Sequence, residues 1–154
     1  MNQLKQLLIT LFISAIILSC HSTKKSTNTD MSSANPNSEL IETYWKLTEL
    51  MGEPIVMTTD TKKEMRMILK KEGNQVSGNG GCNSFRGSYT LLEGNRLSFS
   101  QLVSTKMACI NMEKEATFME VLQKTDNYSI QGKILSLNKS RMAPLAKFEA
   151  VYLK

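Results

Sequence analysis

The sequence predicts an α+β domain in which a curled, barrel-like antiparallel sheet of about seven or eight short strands carries one amphipathic helix. Three observations lead there. Beyond residue 40 most of the chain alternates apolar and polar residues with a period of two, the signature of half-buried strands. Glycine- and asparagine-bearing turns separate those runs, and connections this short favour antiparallel neighbours. One stretch, Met112 to Lys124, changes to a helical period. A sheet of this kind is expected to curl round and let the helix plug one side or end.

In order, Trp45 to Leu50 is the first expected strand. Met65, Met67 and Leu69 alternate with Arg66 and Lys70 in a second, closed by Glu72-Gly73-Asn74, and Gln75 to Ser77 is a short third. In Ser84 to Leu91, Phe85, Tyr89 and Leu91 point one way. Ser84, Arg86, Ser88 and Thr90 point the other way, to solvent. Glu93-Gly94-Asn95 turns the chain into Arg96 to Ser100, where Leu97 and Phe99 share a face. The helix sets Glu113, Thr117, Glu120 and Lys124 on a polar stripe. Met112, Ala116, Phe118, Met119, Val121 and Leu122 cover the wider opposite arc. Asn111 suits the N-cap, while Glu113 and Glu115 suit the positive end of the helix dipole. Tyr128 to Ile130, the turn Gln131-Gly132-Lys133 and Ile134 to Leu137 read as a hairpin, and Leu145 to Leu153 as the closing strand.

The ends of the chain are of a different kind. Leu7 to Leu18 is almost wholly apolar and is followed by Ser19-Cys20. That run is short for a membrane span, which needs about 20 apolar residues, and it suits residues 1–19 as a signal peptide. Ile17-Leu18-Ser19-Cys20 resembles a bacterial lipobox, with Leu18 bulkier than usual, which makes Cys20 the expected lipidation site. Several acyl chains hold a protein on a bilayer durably. Residues 20–39 are rich in Ser, Thr, Asn and Lys, and such a segment reads as a flexible tether. Residues 40–154 then form the single domain. The whole-chain charge of +5 falls to +3 for residues 38–154, 16 basic against 13 acidic, once Lys5, Lys24, Lys25 and Asp30 are set aside. That balance is mild and the cations are scattered, so a nucleic-acid partner is not expected.

The most distinctive stretch is Gly78-Asn79-Gly80-Gly81-Cys82-Asn83-Ser84-Phe85-Arg86-Gly87-Ser88-Tyr89. With Trp45-Lys46-Leu47, the box Ser104-Thr105-Lys106-Met107-Ala108-Cys109 and the closing Ile130, Gly132, Leu135 and Leu137, it resembles the META domain, also called the HslJ-like heat-shock family. The motif positions are Gly80, Gly81, Asn83, Phe85, Gly87, Tyr89, Thr105 and Met107. The resemblance spans roughly Leu40 to Leu153. It implies a compact α+β domain and an envelope-associated life, often as a lipoprotein, linked to heat shock and antibiotic tolerance. It implies no reaction and brings no catalytic residues. A Gly-Asp-Gly-like turn, frequent in the family before the last strand, is here Ser140-Arg141-Met142.

With Cys20 given to lipid, Cys82 and Cys109 are the remaining cysteines. In an exported protein two such thiols are expected to pair. A bridge between them closes a loop worth roughly 3.6 kcal/mol in the chain-entropy account. Gly80-Gly81 would supply positive φ for a tight approach. The alternative left open is two buried thiols packing as small hydrophobes. The only histidine is His21, so a Cys/His or Ser/His/Asp arrangement within the domain is excluded. Every helix glutamate suits a solvated face. Two cysteines fall short of a structural zinc site, and Met65, Met67, Met112 and Met119 are assigned to the core rather than to copper. No metal and no cofactor are expected.

The resulting expectation is a non-enzymatic, monomeric envelope lipoprotein, anchored through its N-terminal lipid with the outer membrane favoured. It would bind an envelope protein or a small apolar ligand. The rivals are a thiol-redox protein or enzyme using Cys82 and Cys109, and a carrier holding an apolar ligand within the curled sheet.

Overall fold

The structure is a computed structural model that describes residues 40–56, 63–109 and 112–152. Residues 1–39, with the expected signal peptide, Cys20 and tether, lie outside the described residues, as does the expected N-cap Asn111. The described strands are β1 (Tyr44–Leu50), β2 (Glu53–Pro54), β3 (Arg66–Lys70), β4 (Gln75–Asn79), β5 (Ser84–Leu92), β6 (Arg96–Ser104), β7 (Asn127–Gln131), β8 (Ile134–Asn138) and β9 (Ala146–Val151). Helix α1 (Glu113–Lys124) falls between β6 and β7.

The strands form one antiparallel sheet that closes into a ring. The order runs β1-β3-β4-β5-β6-β7-β8-β9, and β9 returns to β1 along the register from Tyr44↔Val151 to Leu50↔Ala146. The two-residue β2 lies outside the ring, on the end of β1. The expected α+β class and curled sheet are therefore present. Closure removes most of the exposed strand edge that an open sheet presents.

One seam is thin. β6 meets β7 at the single pair Arg96↔Asn127, supported by Leu97 N–H to the Asp126 carbonyl (3.2 Å) and Tyr128 N–H to the Asn95 carbonyl (3.0 Å). Helix α1, which joins these two strands in sequence, packs against β6. Its Phe118, fully buried, sits edge-on to Phe85 with ring centroids 5.7 Å apart and lies 5.9 Å from Phe148. Trp45, Leu47, Met67, Leu69, Val76, Leu135 and Leu137 fill the rest of the interior. The Trp45 indole N–H donates to the Leu40 carbonyl (2.9 Å), which satisfies its polar edge within the core.

Several element boundaries differ from the sequence expectation. β4 runs on to Asn79 and takes in Gly78, which lies beyond the expected strand Gln75 to Ser77. A Cβ there would stand 2.2 Å from the Arg66 carbonyl oxygen and 2.4 Å from the Phe85 ring, so Gly78 makes room for a neighbour inside a strand. β6 continues past Ser100 to Ser104 because its register slips opposite Arg86–Ser88, with Gln101 at φ 53°. A bulge of this kind inserts one residue and lets pairing resume. The buried stripe of α1 is narrower than expected and includes Glu115, Phe118, Val121 and Leu122. Met112 and Ala116 are exposed, which corrects the core assignment of Met112. Met65 and Met67 are buried and Met119 is half-buried.

The turn at Ser140-Arg141-Met142 is organised by Asp126. Its carboxylate accepts the Ser140 N–H (2.7 Å), the Asn127 amide and the Ser140 hydroxyl (3.4 Å). These bonds, the Ser140 N–H foremost, hold its pKa below the ordinary 3.8. A depressed folded-state pKa stabilises the fold above the ordinary value, and that contribution fades as pH falls through the folded value. Asp126→Asn is therefore expected to melt below the parent at pH 7. The gap should close as pH drops below 3.8, and parallel melting curves across that range would refute the assignment.

Candidate functional site

The motif residues converge where three separate stretches meet. These are the β4–β5 connection Gly80–Asn83, the strap Thr105–Cys109 that leaves β6, and the first turn of α1. The connection is a tight loop in which the Gly80 N–H donates to the Asn83 carbonyl (2.8 Å). The Gly81 N–H donates to Asn79 Oδ1 (2.9 Å). Gly81 has φ 106°, a region L side chains rarely adopt.

Gly80 is glycine for a different reason. Its φ is not positive, but a Cβ on it would lie 2.6 Å from Glu115 Cγ. The carboxylate of Glu115 lies against this loop and accepts the N–H groups of Cys82 (3.1 Å) and Asn83 (2.8 Å) through one oxygen, Oε2. Glu115 is buried, against the expectation of a solvated face. Two consecutive backbone donors inside the protein need a partner, and the helix supplies it.

Asn83 ties the loop to the strap. Its Oδ1 accepts the Thr105 hydroxyl (2.7 Å) and the Met107 N–H (2.7 Å), and its Nδ2 donates to the Met107 carbonyl (3.2 Å). Asn83 is 2% exposed and spends both ends of its amide on the strap. Cys82 and Cys109 form a disulfide across the same junction, with Cα atoms 6.3 Å apart. The alternative of two separated buried thiols is set aside.

Further motif residues serve packing. Phe85 is buried against Phe118. Tyr89 is buried and donates its hydroxyl to the Lys70 carbonyl (3.1 Å), and burial pushes its phenol above the ordinary 10.0. Gly87 faces the β6 bulge, where a Cβ would come within 2.7 Å of Leu102 and 2.8 Å of the Ser100 carbonyl. Met107 is the exception. Asn83 fixes its backbone from both sides while its side chain is 45% exposed. Among the described residues, no group of three His, Cys, Asp or Glu side chains is placed to hold a metal.

Beside the strap, the outer face of β5 and β6 carries two adjoining depressions. One, of about 340 Å³, lies between Arg86, Val103, Ser84 and Thr105. The other, of about 250 Å³, lies between Arg86, Val103, Gln75 and Gln101. Arg86 points to solvent, as the alternation of its strand predicts.

Sequence reasoning located the loop, the strap and the cysteines but missed Glu115. Its signal was the spacing Glu115, Phe118, Leu122, which is i, i+3, i+7 and shares one helical face.

Comparison with known proteins supplies the wider setting. The family model described as the META domain matches residues 38–152. Similar solved structures include an NMR structure of a protein from Burkholderia xenovorans, 25% identical, with a TM-score of 0.60, covering 76% of this chain and 88% of that one. A second NMR structure is 22% identical, with a TM-score of 0.56, covering 73% of this chain and 92% of that one, and supports the fold alone. No curated protein matches the chain significantly.

Truncation of the clamp has a measurable cost. Glu115→Ala leaves two buried N–H groups without an acceptor and should destabilise the domain by about 3 kcal/mol in denaturant titration, with Glu115→Gln milder. Gly80→Ala alone should cost about 2 kcal/mol through overpacking. In the Glu115→Ala background that penalty should shrink, because the clashing Cγ is gone. Strict additivity of the two substitutions would show that the loop and helix are not in contact.

Proposed function

The chain belongs to the META domain family, and on that footing we propose that it is a non-enzymatic, lipid-anchored module of the bacterial envelope that aids stress or antibiotic tolerance by binding a partner protein. The observation that carries this reading is the state of the motif's polar groups. Cys82 and Cys109 are joined, the Asn83 amide is taken up by Thr105 and Met107, and Glu115 is bound by two backbone N–H groups. Residues that specific, engaged inward, make a scaffold. A thiolate nucleophile would need a free sulfur beside a base or cation.

The interior supports partner binding over ligand carriage. Trp45, Phe118 and Phe148, all under 2% exposed, occupy the space a carrier barrel would leave for its cargo. What the domain offers is its outer surface, rigidly held at the strap. The anchor is Cys20, from the Ile17-Leu18-Ser19-Cys20 pattern. The outer membrane is the favoured location, since no Asp follows that cysteine.

Two measurements test this. Cells fed labelled palmitate should incorporate it into the chain and lose it in Cys20→Ser, and an unlabelled parent would refute the anchor. A photo-crosslinking residue placed in turn at the exposed positions Val103, Ile134 and Met142 should trap a discrete protein adduct in cells from at least one. No adduct from any of them would overturn partner binding.

A further inference from the structure

The outer face of strands β3 to β6 has an unbalanced charge. Its segments read RMILK, QVSGN, SFRGSYTLL and RLSFSQLVS, with four cations and no aspartate or glutamate. Three of the cations are engaged. Lys70 pairs with Glu42, Arg66 lies over the Tyr44 ring, and Arg96 Nε donates to the Asp126 carbonyl. Arg86 makes no such contact among the described residues. It sits in mid-sheet, with Ser77 on one side and Val103 on the other in cross-strand register, and both depressions open beside it.

The walls of this groove narrow the kind of occupant. An unengaged guanidinium selects a carboxylate or phosphate. The groove runs along β5 on both sides of Arg86, lined by Ser84 and Thr105 at one end and by Gln75 and Gln101 at the other. The Thr105 hydroxyl is donated to Asn83 and the Ser84 hydroxyl accepts the Asn79 amide, so the Gln75 and Gln101 amides are the groups placed to bond to peptide groups, and a flat bilayer surface would not enter the groove. A glycan would want an aromatic platform, yet Trp45, Phe85, Tyr89 and Phe99 are buried. Val103, 55% exposed beside Arg86, offers apolar contact. Edge pairing is disfavoured because the bulge at Gln101 breaks the register of β6.

We propose that the β5–β6 groove docks an extended acidic segment of a partner protein, with one of its carboxylates on Arg86 and an aliphatic neighbour on Val103. This rests on the partner-binding reading above and gives that partner its chemistry. Charge complementarity would both orient the segment and speed its capture.

The test uses the purified domain-bearing chain and defined probes, followed by amide chemical shifts. The peptide Ac-VEVEVE-NH2 should shift Arg86, Val103, Ser84 and Gln101 together, and Arg86→Gln should weaken it roughly tenfold. Arg86→Glu should reject that peptide and accept Ac-VKVKVK-NH2 at the same residues. Equal binding of Ac-VQVQVQ-NH2, shifts on another face, or no shifts at millimolar peptide would overturn the proposal. Arg86-dependent binding of phosphatidylglycerol vesicles would overturn it in favour of lipid. Cellular adducts from Ile134 or Met142 but not Val103 would sink this groove while leaving partner binding intact.

Discussion

The domain depends on a thin seam in the barrel wall. β6 and β7 touch at one residue pair, so strand pairing does little to position the chain between them, which must be held by other contacts. Packing of Phe118 between Phe85 and Phe148 supplies adhesion, but adhesion is not directional. Direction comes from Glu115, whose carboxylate fixes the first helical turn to two successive N–H groups of the β4–β5 loop. The disulfide and the Asn83 amide then pin the strap that leads into the helix. The three ties act on neighbouring residues of one loop, so a shift in any of them is felt by the others.

This arrangement explains why the motif looks reactive and behaves as a fastener. Glycine, cysteine and asparagine together invite a catalytic reading. Each has a mechanical duty here: Gly80 leaves room for a carboxylate, Gly81 takes a left-handed turn, and Asn83 reads both backbone groups of Met107. Buried polar networks are costly when half satisfied and rigid when complete. Among the described residues, no buried side-chain polar atom lacks a partner. The exposed side chains of Val103 and Met107 are thus carried on backbone that has little freedom to move, and a surface held that way loses little entropy on binding.

Most of the fold was legible because strand periodicity is local. Phe85, Tyr89, Leu97 and Phe99 announce their faces within a few residues. What escaped was set by distant neighbours. Gly78 lies beyond the expected strand until the Arg66 carbonyl and the Phe85 ring are placed beside it. The extension of β6 needed a bulge at Gln101, which no propensity marks. β2 is two residues long and ends in proline, too short to leave a pattern. Glu115 was read as a surface charge because charged residues are seldom buried unless paired. Its partners are main-chain groups that a sequence shows at every position alike. The site divides in the same way: spacing and counting find the two cysteines, while the carboxylate that organises their loop appears only in three dimensions.

The ring is closed by its first and last strands, β1 and β9. Nearly the whole domain lies between them in sequence, so this pairing has the highest loop-closure cost of any in the fold. Contacts of that span slow folding. A growing chain that has reached residue 138 holds every strand but one and still lacks the stave that seals the wall. Cooperative assembly must wait for Ala146–Val151 to emerge, and until that late stretch is made the edge of β1 that β9 takes has no partner, so the wall stays open however early its first stave was laid down.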